Sequence, residues 1–315
     1  MVASVFIDGE AGTTGLKIRE RLAARSDIRL VSIDPDRRKD PAARRECLNS
    51  SDGVILCLPD AAALEAVSLI ETPDVVVIDA STAHRTDPNW AYGFPELRPG
   101  QRAAIRNAKR ISNPGCYPTG FLALVAPLVR DGLLPADWPV TVNAVSGYSG
   151  GGRAMIAQFE DRNAPDHTGT AFRPYGLSLK HKHVPEMQTH AGLIHRPLFA
   201  PAVGRYLAGM IVEVPLQLAA VPGRPGVSDV HASLRRAYEG EPFVSVVSLE
   251  QARATEHLDP ESLNGSNRMI LHVFGDESLG QARLVAILDN LGKGASGAAV
   301  QNLNLALGLE ETSGL

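Results

Sequence analysis

The sequence predicts an α/β chain of two domains, the first with a parallel sheet and the second an α+β domain with a mostly antiparallel sheet. In the first third of the chain, short apolar runs alternate with helical patterns. Further along, strand candidates follow one another with few helices between them. The length of 315 residues suits two domains of roughly 150 residues each.

The first domain has regular strand and helix signals. Strands are predicted at residues 2–7, 28–33, 53–58 and 75–78. A helix is predicted at residues 16–24. The spacing of Leu64, Val67 and Ile70, three residues apart, indicates a crossover helix before the fourth strand. Apolar strands joined by helices are typical of a parallel sheet buried on both faces.

The second domain begins with a helix predicted at residues 120–132. Strands are then predicted at residues 140–145, 210–218, 243–248, 268–274 and 281–288. Their period-two alternation, with few helices between them, indicates an antiparallel sheet. A glycine- and alanine-rich helix is predicted at residues 296–307.

Composition excludes several classes of protein. A formal net charge of −4 argues against a nucleic-acid-binding protein, and 44% hydrophobic with 21% charged residues exclude wholesale disorder. The three cysteines, Cys47, Cys57 and Cys116, have no CxxC spacing, which argues against a disulfide framework or structural zinc and favours a reducing compartment. No segment resembles a signal peptide or a membrane span. We therefore expect a cytoplasmic protein without a metal or a membrane partner.

A glycine-rich turn follows the first strand. Gly9 permits a tight turn, Gly12 allows close approach of a ligand, and Gly15 allows the helix to pack on the strand. The N–H groups at such a helix start suit a pyrophosphate, and the loop opens a βαβ unit, which favours a Rossmann-type dinucleotide site over an ordinary strand-to-helix turn. The predicted cofactor-binding residues of this loop are Gly9, Ala11, Gly12, Thr13, Thr14 and Gly15.

The end of the second strand bears on the choice of cofactor. Asp34 ends this strand, where a carboxylate favours NAD by binding the ribose hydroxyls. Arg37 and Arg38 follow as a compact anion site, which favours the 2′-phosphate of NADP. We predict NADP, with a solvated surface charge run as the alternative.

Cys116 lies in a turn made by two prolines and two glycines. Residues 113–120 read Asn-Pro-Gly-Cys-Tyr-Pro-Thr-Gly and precede an apolar helix. A cysteine at a helix N-terminus is stabilised as the thiolate, the form that attacks acyl groups. The alternative is a buried, small apolar residue. We predict that Cys116 is the nucleophile.

Histidines cluster at His181 and His183, which are followed by Pro185 and Glu186. The alternation predicts both rings on one face of an extended segment. A metal site would need a third ligand such as Glu186 or His190, and the neighbouring lysines would repel a cation. We therefore favour general acid/base work by one histidine, with Glu186 orienting a ring, over a surface basic run.

Together these segments resemble the short form of the N-acetyl-γ-glutamyl-phosphate reductase family. The resemblance covers nearly the whole chain: the glycine-rich loop, the cysteine motif of residues 113–119, the H-x-H-x-P-E of residues 181–186 and the Asp-Asn-Leu-Gly-Lys-Gly-Ala segment from residue 289. The cysteine motif is the most specific. The wider superfamily includes aspartate-semialdehyde and glyceraldehyde-3-phosphate dehydrogenases, which surround the cysteine differently.

The resemblance implies a reductase of arginine biosynthesis. Cys116 attacks the acyl phosphate, phosphate leaves, NADPH reduces the thioester, and N-acetylglutamate 5-semialdehyde is released. His181 is implied as the acid/base group, with His183 and Glu186 around the substrate. The last helix is implied to complete the first domain. The predicted domains are residues 1–115 plus 295–315, which bind NADP, and residues 116–294, which are catalytic and dimerising.

Further site residues follow from the same resemblance. Residues 79–85 correspond to the family pattern D-x-S-A-D-F-R, with His84 in place of its aromatic residue. Ser81 is expected to contact the cofactor and Arg85 the substrate phosphate or carboxylate, a surface arginine being the alternative. The loop at residues 146–152 is expected to close over the ligand through Ser146 and Tyr148, unless it is only a long turn. Asn290 is expected near the nicotinamide.

Two other functions remain open from the sequence. One is a semialdehyde dehydrogenase for another acyl phosphate, such as β-aspartyl phosphate or a carrier-linked substrate. The other is a non-catalytic NADP-binding sensor, against which Cys116 in its turn argues. By analogy with the family, an exposed sheet face predicts a homodimer or homotetramer.

Overall fold

The computed structural model describes residues 2–37 and 40–315, which form two compact units. The first unit comprises the described residues up to Pro95, together with Pro99–Gly115 and Ala295–Leu315. The second comprises Glu96–Arg98 and Cys116–Gly294. The segment Glu96–Arg98 therefore belongs to the second unit, although the residues on both sides of it belong to the first.

Strands and helices follow one another along the described chain. The strands are β1 (Ala3–Asp8), β2 (Ile28–Val31), β3 (Gly53–Leu56), β4 (Val76–Asp79), β5 (Ala91–Tyr92), β6 (Arg110–Ser112), β7 (Thr141–Gly147), β8 (Phe172–Pro174), β9 (Leu198–Gly204), β10 (Met210–Leu216), β11 (Val244–Val246), β12 (Met269–Asp276) and β13 (Gln281–Leu288). The helices are α1 (Thr13–Ala23), α2 (Pro41–Ser50), α3 (Asp60–Ser68), α4 (Gln101–Asn107), α5 (Cys116–Arg130), α6 (Gly152–Glu160), α7 (Val184–Ala191), α8 (Val227–Ala237), α9 (Leu249–Arg253) and α10 (Gly297–Ala306). None of these helices is both long enough and apolar enough to cross a membrane.

The first unit confirms the predicted parallel sheet. Its strand order is β2-β1-β3-β4-β6-β5, and every neighbouring pair is parallel. The central strands are fully buried because helices cover both faces. One face packs against apolar side chains of α1, α4 and α10, and the other against those of α2 and α3. β2 lies on one side of β1 and β3 on the other, so the order of the strands switches sides at β1. Ligands of such sheets bind at the carboxyl ends of the strands beside this switch, which makes the carboxyl ends of β1 and its neighbours the expected ligand edge.

The second unit contains a mixed sheet, so the prediction of a mostly antiparallel sheet is only partly matched. The strand order is β11-β12-β13-β10-β7-β9-β8. Four neighbouring pairs are antiparallel, but β7 pairs with β9, and β11 with β12, in parallel. Parallel pairs need long crossover connections, which α6 and α7 supply after β7 and α9 supplies after β11. Alternation within a strand does not reveal its neighbour's direction.

Helix α5 packs against the sheet of the second unit. It begins at Cys116, four residues before the predicted start, because Pro118 lies in the first turn, where a proline's missing N–H removes no helical hydrogen bond. Every residue from Tyr117 to Leu128 is buried. A Cβ atom added at Gly120 would lie only 2.8 Å from Cγ2 of Val212, so this glycine lets the helix approach β10 closely.

Candidate active site

The glycine-rich turn of the first unit has the geometry that a dinucleotide requires. Gly9 has φ +87°, and an added Cβ would lie 2.4 Å from the carbonyl oxygen of Cys57. A Cβ on Gly15 would lie 2.6 Å from the carbonyl oxygen of Gly9. The backbone N–H of Gly12 donates to that same oxygen at 3.0 Å. The turn therefore lies so close to the residue after β3 and to the start of α1 that a side chain at Gly9 or Gly15 would clash with the backbone.

The start of α1 fits a bound anion. Its N-cap residue, Gly12, supplies no side-chain hydrogen bond, and the first turn carries no acidic residue. Oγ1 of Thr13 is buried and has no hydrogen-bond partner among the residues that the structure describes. A pyrophosphate oxygen would satisfy both the hydroxyl and the first N–H groups of the helix. Ala11 and Thr14 belong to the same turn and first helical residues.

A cavity of about 440 Å³ adjoins the glycine-rich turn. Its lining includes Asp8, Gly9, Ala11, Ile33, Arg44 and Leu58. Nε of Arg44 donates to Oδ2 of Asp8 at 2.7 Å across this cavity. Burial raises the pKa of Asp8, and the hydrogen bond from Arg44 opposes that rise. Sequence reasoning did not predict Arg44 as a site residue. Its one signal in the sequence is that it is a basic residue in α2, which is a short amphipathic helix.

The predicted cofactor-selecting residues follow a shorter strand than expected. β2 ends at Val31, so Asp34 lies in the following loop, where it is exposed and its Oδ1 accepts the backbone N–H of Asp36. The guanidinium of Arg37 pairs with Asp40 at 2.8 Å and remains more than half exposed. Arg38 lies outside the described residues. The selection of NADP by Arg37 and Arg38 stays a prediction.

A buried polar cluster follows β4. Ser81 donates through its backbone N–H and its hydroxyl to the two carboxylate oxygens of Asp79, at 2.9 and 2.7 Å. Nδ1 of His84 lies 2.6 Å from Oδ2 of Asp79, and the His84 ring stacks on Trp90 with ring centroids 4.0 Å apart. His84 thus both stacks on an aromatic ring and hydrogen-bonds a buried carboxylate. Asp79 and Trp90 were not predicted.

Arg85 lies in the same segment, but its guanidinium group binds backbone carbonyl oxygens. Its Nε donates to the carbonyl oxygen of Asn113 at 2.9 Å, and its Nη2 donates to that of Ala80 at 3.0 Å. The residue is only 7% exposed. Arg85 therefore joins the segments after β4 and β6. Its predicted contact with the substrate stays a prediction.

Cys116 is the first residue of α5 and is partly exposed. A Cβ added at Gly294 would lie 2.7 Å from the Cβ of Cys116, so backbone forms one wall of its surroundings. The other two cysteines differ in environment: burial raises the pKa of Cys57 to about 12, and burial also raises the pKa of Cys47. A cysteine whose pKa is raised stays in the unreactive thiol form near neutral pH.

Aromatic and histidine rings cluster around Tyr117, the residue after Cys116. The ring centroids of His181 and His183 lie 4.8 Å apart, and those of Tyr117 lie 6.2 and 5.9 Å from them. The hydroxyl of Tyr175 donates to that of Tyr117 at 3.2 Å. Burial raises the pKa of Tyr175 to about 12, and the charge of Cys116 contributes to that rise. The structure therefore brings both predicted histidines together with Tyr117, the residue that follows the predicted nucleophile.

The prediction of an extended segment from His181 to His183 is wrong. Residues 182 and 183 form a turn, and His183, with φ −81° and ψ −13°, is the N-cap of α7. Pro185 near the helix start and Glu186 in the first turn are helix-start signals that explain the difference. Glu186 is fully buried, at 1% exposure. The two rings still contact each other because the turn folds them together.

His181 has a defined tautomer. The backbone N–H of His183 donates to Nδ1 of His181 at 3.2 Å, so Nδ1 is an acceptor. Burial, with the charge of Lys182, lowers the pKa of His181 to about 4. The ring is therefore neutral near pH 7 and carries its proton on Nε2, which is a hydrogen-bond donor.

The loop predicted at residues 146–152 is shorter than expected, because Ser146 and Gly147 end β7 and Gly152 begins α6. Ser146 is buried, and its Oγ donates to the carbonyl oxygen of Gly147 at 3.1 Å. Asn290 accepts the backbone N–H of Gly209 at 2.8 Å and donates to Oγ of Ser149 at 3.0 Å. The hydroxyl of Tyr148 donates to Glu160 at 2.9 Å. Asn290 thus shapes this loop, while its predicted cofactor contact and the substrate contact of Tyr148 stay predictions.

Two family models match the chain in succession. The semialdehyde dehydrogenase NAD-binding domain matches residues 15–108, and the semialdehyde dehydrogenase dimerisation domain matches residues 116–290. The first match indicates a nicotinamide dinucleotide cofactor. Within the described residues, no group of three or more histidines, cysteines and acidic residues is arranged to hold a metal ion.

Solved structures share the fold. Aspartate semialdehyde dehydrogenase II of Vibrio cholerae, complexed with ASA, is 16% identical, with a TM-score of 0.68 and 98% of each chain covered. The aspartate semialdehyde dehydrogenase of Francisella tularensis is 15% identical, with a TM-score of 0.70, covering 96% of this chain and 99% of that one. That of Candida albicans, with NADP, is 14% identical, with a TM-score of 0.65, covering 97% and 98%.

Curated relatives are much closer in sequence. The N-acetyl-γ-glutamyl-phosphate reductases of Brucella ovis and Brucella canis are each 56% identical over 309 residues, which is 98% of this chain and 100% of theirs. A match that covers 98% of this chain extends over both units. The chain belongs to the N-acetyl-γ-glutamyl-phosphate reductase family.

Proposed function

We propose that this chain reduces N-acetyl-γ-glutamyl phosphate to N-acetylglutamate 5-semialdehyde with NADPH and releases inorganic phosphate, a step of arginine biosynthesis. The observation that carries the proposal is Cys116 at the first residue of α5, followed by Tyr117, whose ring lies close to those of His181 and His183, in a chain 56% identical to reductases of that name. A nucleophile, a proton-handling ring and a dinucleotide loop are the parts that this chemistry needs.

The first chemical step belongs to Cys116. Its thiolate sulfur forms a bond to the acyl carbon, the bond from that carbon to the phosphate oxygen breaks, and phosphate leaves with the electron pair. The product is a thioester on Cys116. The amino end of α5 favours the thiolate, because the helix dipole and the first-turn N–H groups stabilise negative charge there.

The second step reduces the thioester and regenerates the Cys116 thiolate. When it is bound, the reduced nicotinamide supplies a hydride for the thioester carbon. Cys116 then leaves as a thiolate when the carbonyl oxygen reforms its double bond, so the nucleophile is regenerated. The oxygen carries negative charge between these events, and the first-turn N–H groups of α5 are suited to stabilise it.

His181 is proposed as the acid/base group. Because Nδ1 accepts the backbone N–H of His183, Nε2 is the nitrogen that carries the proton and can donate it to a reacting group. A neutral Nε2–H hydrogen-bonds the carbonyl oxygen while it is negatively charged and assists the leaving phosphate. A neutral ring also avoids the cost of burying a cation beside Tyr117 and Tyr175.

The remaining predicted residues complete the proposal. Ser146, His183 and Glu186 surround the substrate, as the family resemblance implies. Arg85 and Tyr148 stay predicted substrate contacts, although each binds other groups here. NADP rather than NAD is proposed from Arg37 and Arg38.

The same proposal extends to the whole protein. We assign NADP binding to residues 1–115 plus 295–315, and catalysis and subunit contact to residues 116–294. A homodimer or homotetramer is proposed from the family and from the matched dimerisation domain. A cytoplasmic location is proposed because all three cysteines are free thiols, as in reducing compartments.

The reverse reaction tests the proposed function. With N-acetylglutamate 5-semialdehyde, inorganic phosphate and NADP, we expect NADPH formation at 340 nm (roughly where the reduced nicotinamide absorbs) that depends on phosphate. Cys116→Ser should lower turnover by at least about 10³-fold, because the thioester route is lost. Cys47→Ser, at a half-buried cysteine in α2 outside the site, is the matched control and should keep turnover. Phosphate-dependent turnover in Cys116→Ser would refute the nucleophile.

The cofactor preference tests Arg37 and Arg38. Replacing both with alanine should raise the KM for NADPH on the order of tenfold or more and leave the KM for NADH unchanged, because a charge-assisted hydrogen bond contributes about 1.5–3 kcal/mol. Arg45→Ala, at an exposed arginine paired with Glu71 in the same unit, is the control. An unchanged KM for NADPH in the double variant would show that the 2′-phosphate binds elsewhere.

The ionisation of His181 is testable by NMR. Its ring resonances, assigned from the His181→Gln spectrum, should report a neutral Nε2–H tautomer and a midpoint of about 4. An unfolded histidine titrates near 6.5, so between these values the unfolded chain binds a proton that the native ring does not. This ring therefore lowers stability as the pH falls from about 6.5 towards 4 and has no such effect above that window. A midpoint near 6.5 in the native protein would contradict the assigned environment.

A further inference from the structure

A buried ion pair lies in the second unit outside the groups used above. Nζ of Lys293 lies 2.8 and 2.9 Å from the two carboxylate oxygens of Glu96. The side chains are 1% and 0% exposed. Nζ also lies 5.5 Å from the ring centroid of Phe243. A lysine and a glutamate are almost never fully buried unless they are paired as closely as these are.

Stability alone does not account for this pair. Removing two charges from water costs several kcal/mol per ion, and apolar residues of similar volume often replace such a pair without loss of stability. The pair acts as an anchor: it fixes the Lys293 side chain relative to Glu96, because both carboxylate oxygens bind one ammonium group.

Lys293 lies in a single π-helical turn, Gly292–Ser296, between two glycines. A Cβ on Gly292 would lie 2.0 Å from the carbonyl oxygen of Ser266. A Cβ on Gly294 would lie 2.7 Å from Cβ and 3.2 Å from Cα of Cys116. Both glycines therefore bring bare backbone into contact with their neighbours. Between these two glycines, the long side chain of Lys293 ties the turn to Glu96.

The other end of the anchor is tied to the helix that bears Cys116. The residue after Glu96, Leu97, accepts a hydrogen bond at its carbonyl oxygen from Nη1 of Arg130, the last residue of α5, at 3.2 Å. The hydroxyl of Tyr238, within reach of the Glu96 charge, donates to the carbonyl oxygen of Ala123 in the middle of α5 at 2.9 Å. Glu96 is thus part of the surroundings of α5.

We propose that the Glu96–Lys293 ion pair is a positioning device for Cys116: it holds the Gly292–Ser296 turn against the first residue of α5 and so fixes the thiolate at the helix start. The two residues act through the turn and do not touch the substrate. The proposal rests on the proposed function for the role of Cys116 as the nucleophile. Displacements of about 1 Å at a reacting group can lower a rate about 10²-fold, so an anchor of this kind has a measurable effect.

The test uses a double variant, Glu96→Gln with Lys293→Met, in the full-length protein. Single replacements leave one buried charge uncompensated and are expected to destabilise the fold, whereas the neutral pair keeps the volume and is expected to fold. Thermal unfolding and circular dichroism check this. Arg283→Met with Glu213→Gln, which removes a surface ion pair of the same unit, is the matched control.

The first readout is alkylation of Cys116 by iodoacetamide, followed by mass spectrometry of the Cys116 peptide over a range of pH. We expect the double variant to fold but to react on the order of tenfold more slowly at pH 7, with its pH profile displaced upward, because the thiolate is no longer held at the helix start. The second readout is the reverse reaction, in which kcat should fall by a similar factor while the KM values for phosphate and NADP stay within about twofold.

Exchange of the two charges, Glu96→Lys with Lys293→Glu, should restore part of both losses. A folded neutral variant with wild-type alkylation and wild-type kcat would overturn the proposal, and so would a neutral variant that does not fold, since the pair would then serve the fold itself. Alkylation needs no substrate. A wild-type protein that fails to turn over the semialdehyde would therefore refute the proposed function without affecting this readout.

Discussion

The close packing of α5 on the sheet of the second unit is the constraint on which the site depends. Five of its large apolar side chains, Phe121, Leu122, Leu124, Val125 and Leu128, are at most 1% exposed. Each contributes about 1.5–3 kcal/mol by burial, so the helix is held strongly. Because Gly120 has no side chain, the helix lies directly against Val212 of β10. A helix fixed in this way fixes its first residue, Cys116, and the direction of its dipole.

The surroundings of Cys116 follow from that position. Tyr117, the next residue, donates to the carbonyl oxygen of Ala202 in β9 and accepts from Tyr175. The rings of His181 and Phe199 lie 5.1 Å apart, so the histidine turn packs on the same strand. The site is thus assembled from one helix start, one sheet strand and one helix-capping turn, all in one unit. Burial in this site keeps His181 neutral, and the backbone N–H of His183 fixes its tautomer.

Sequence reasoning succeeded where chemistry and periodicity coincide. The alternation of residues 281–288 matched β13 to the residue, and the cysteine turn was found from its prolines and glycines. It failed where a pattern was ambiguous. β9 contains Pro201, which argues against a strand, and its parallel partner β7 is distant in the chain. α8 was missed although Val227, Val230 and Leu234 repeat at helical spacing. The tautomer of His181 and the Glu96–Lys293 pair depend on contacts between distant segments, which no local pattern shows.

The covalent step at Cys116 is the central claim, and it can be observed directly. The protein is mixed with N-acetyl-γ-glutamyl phosphate in the absence of NADPH, quenched in acid, digested and analysed by mass spectrometry. The account predicts an N-acetylglutamyl group on the Cys116 peptide, with one equivalent of phosphate released, and loss of the adduct when hydroxylamine cleaves the thioester. Release of phosphate without any adduct on Cys116, or an adduct on Cys47 or Cys57 instead, would contradict it.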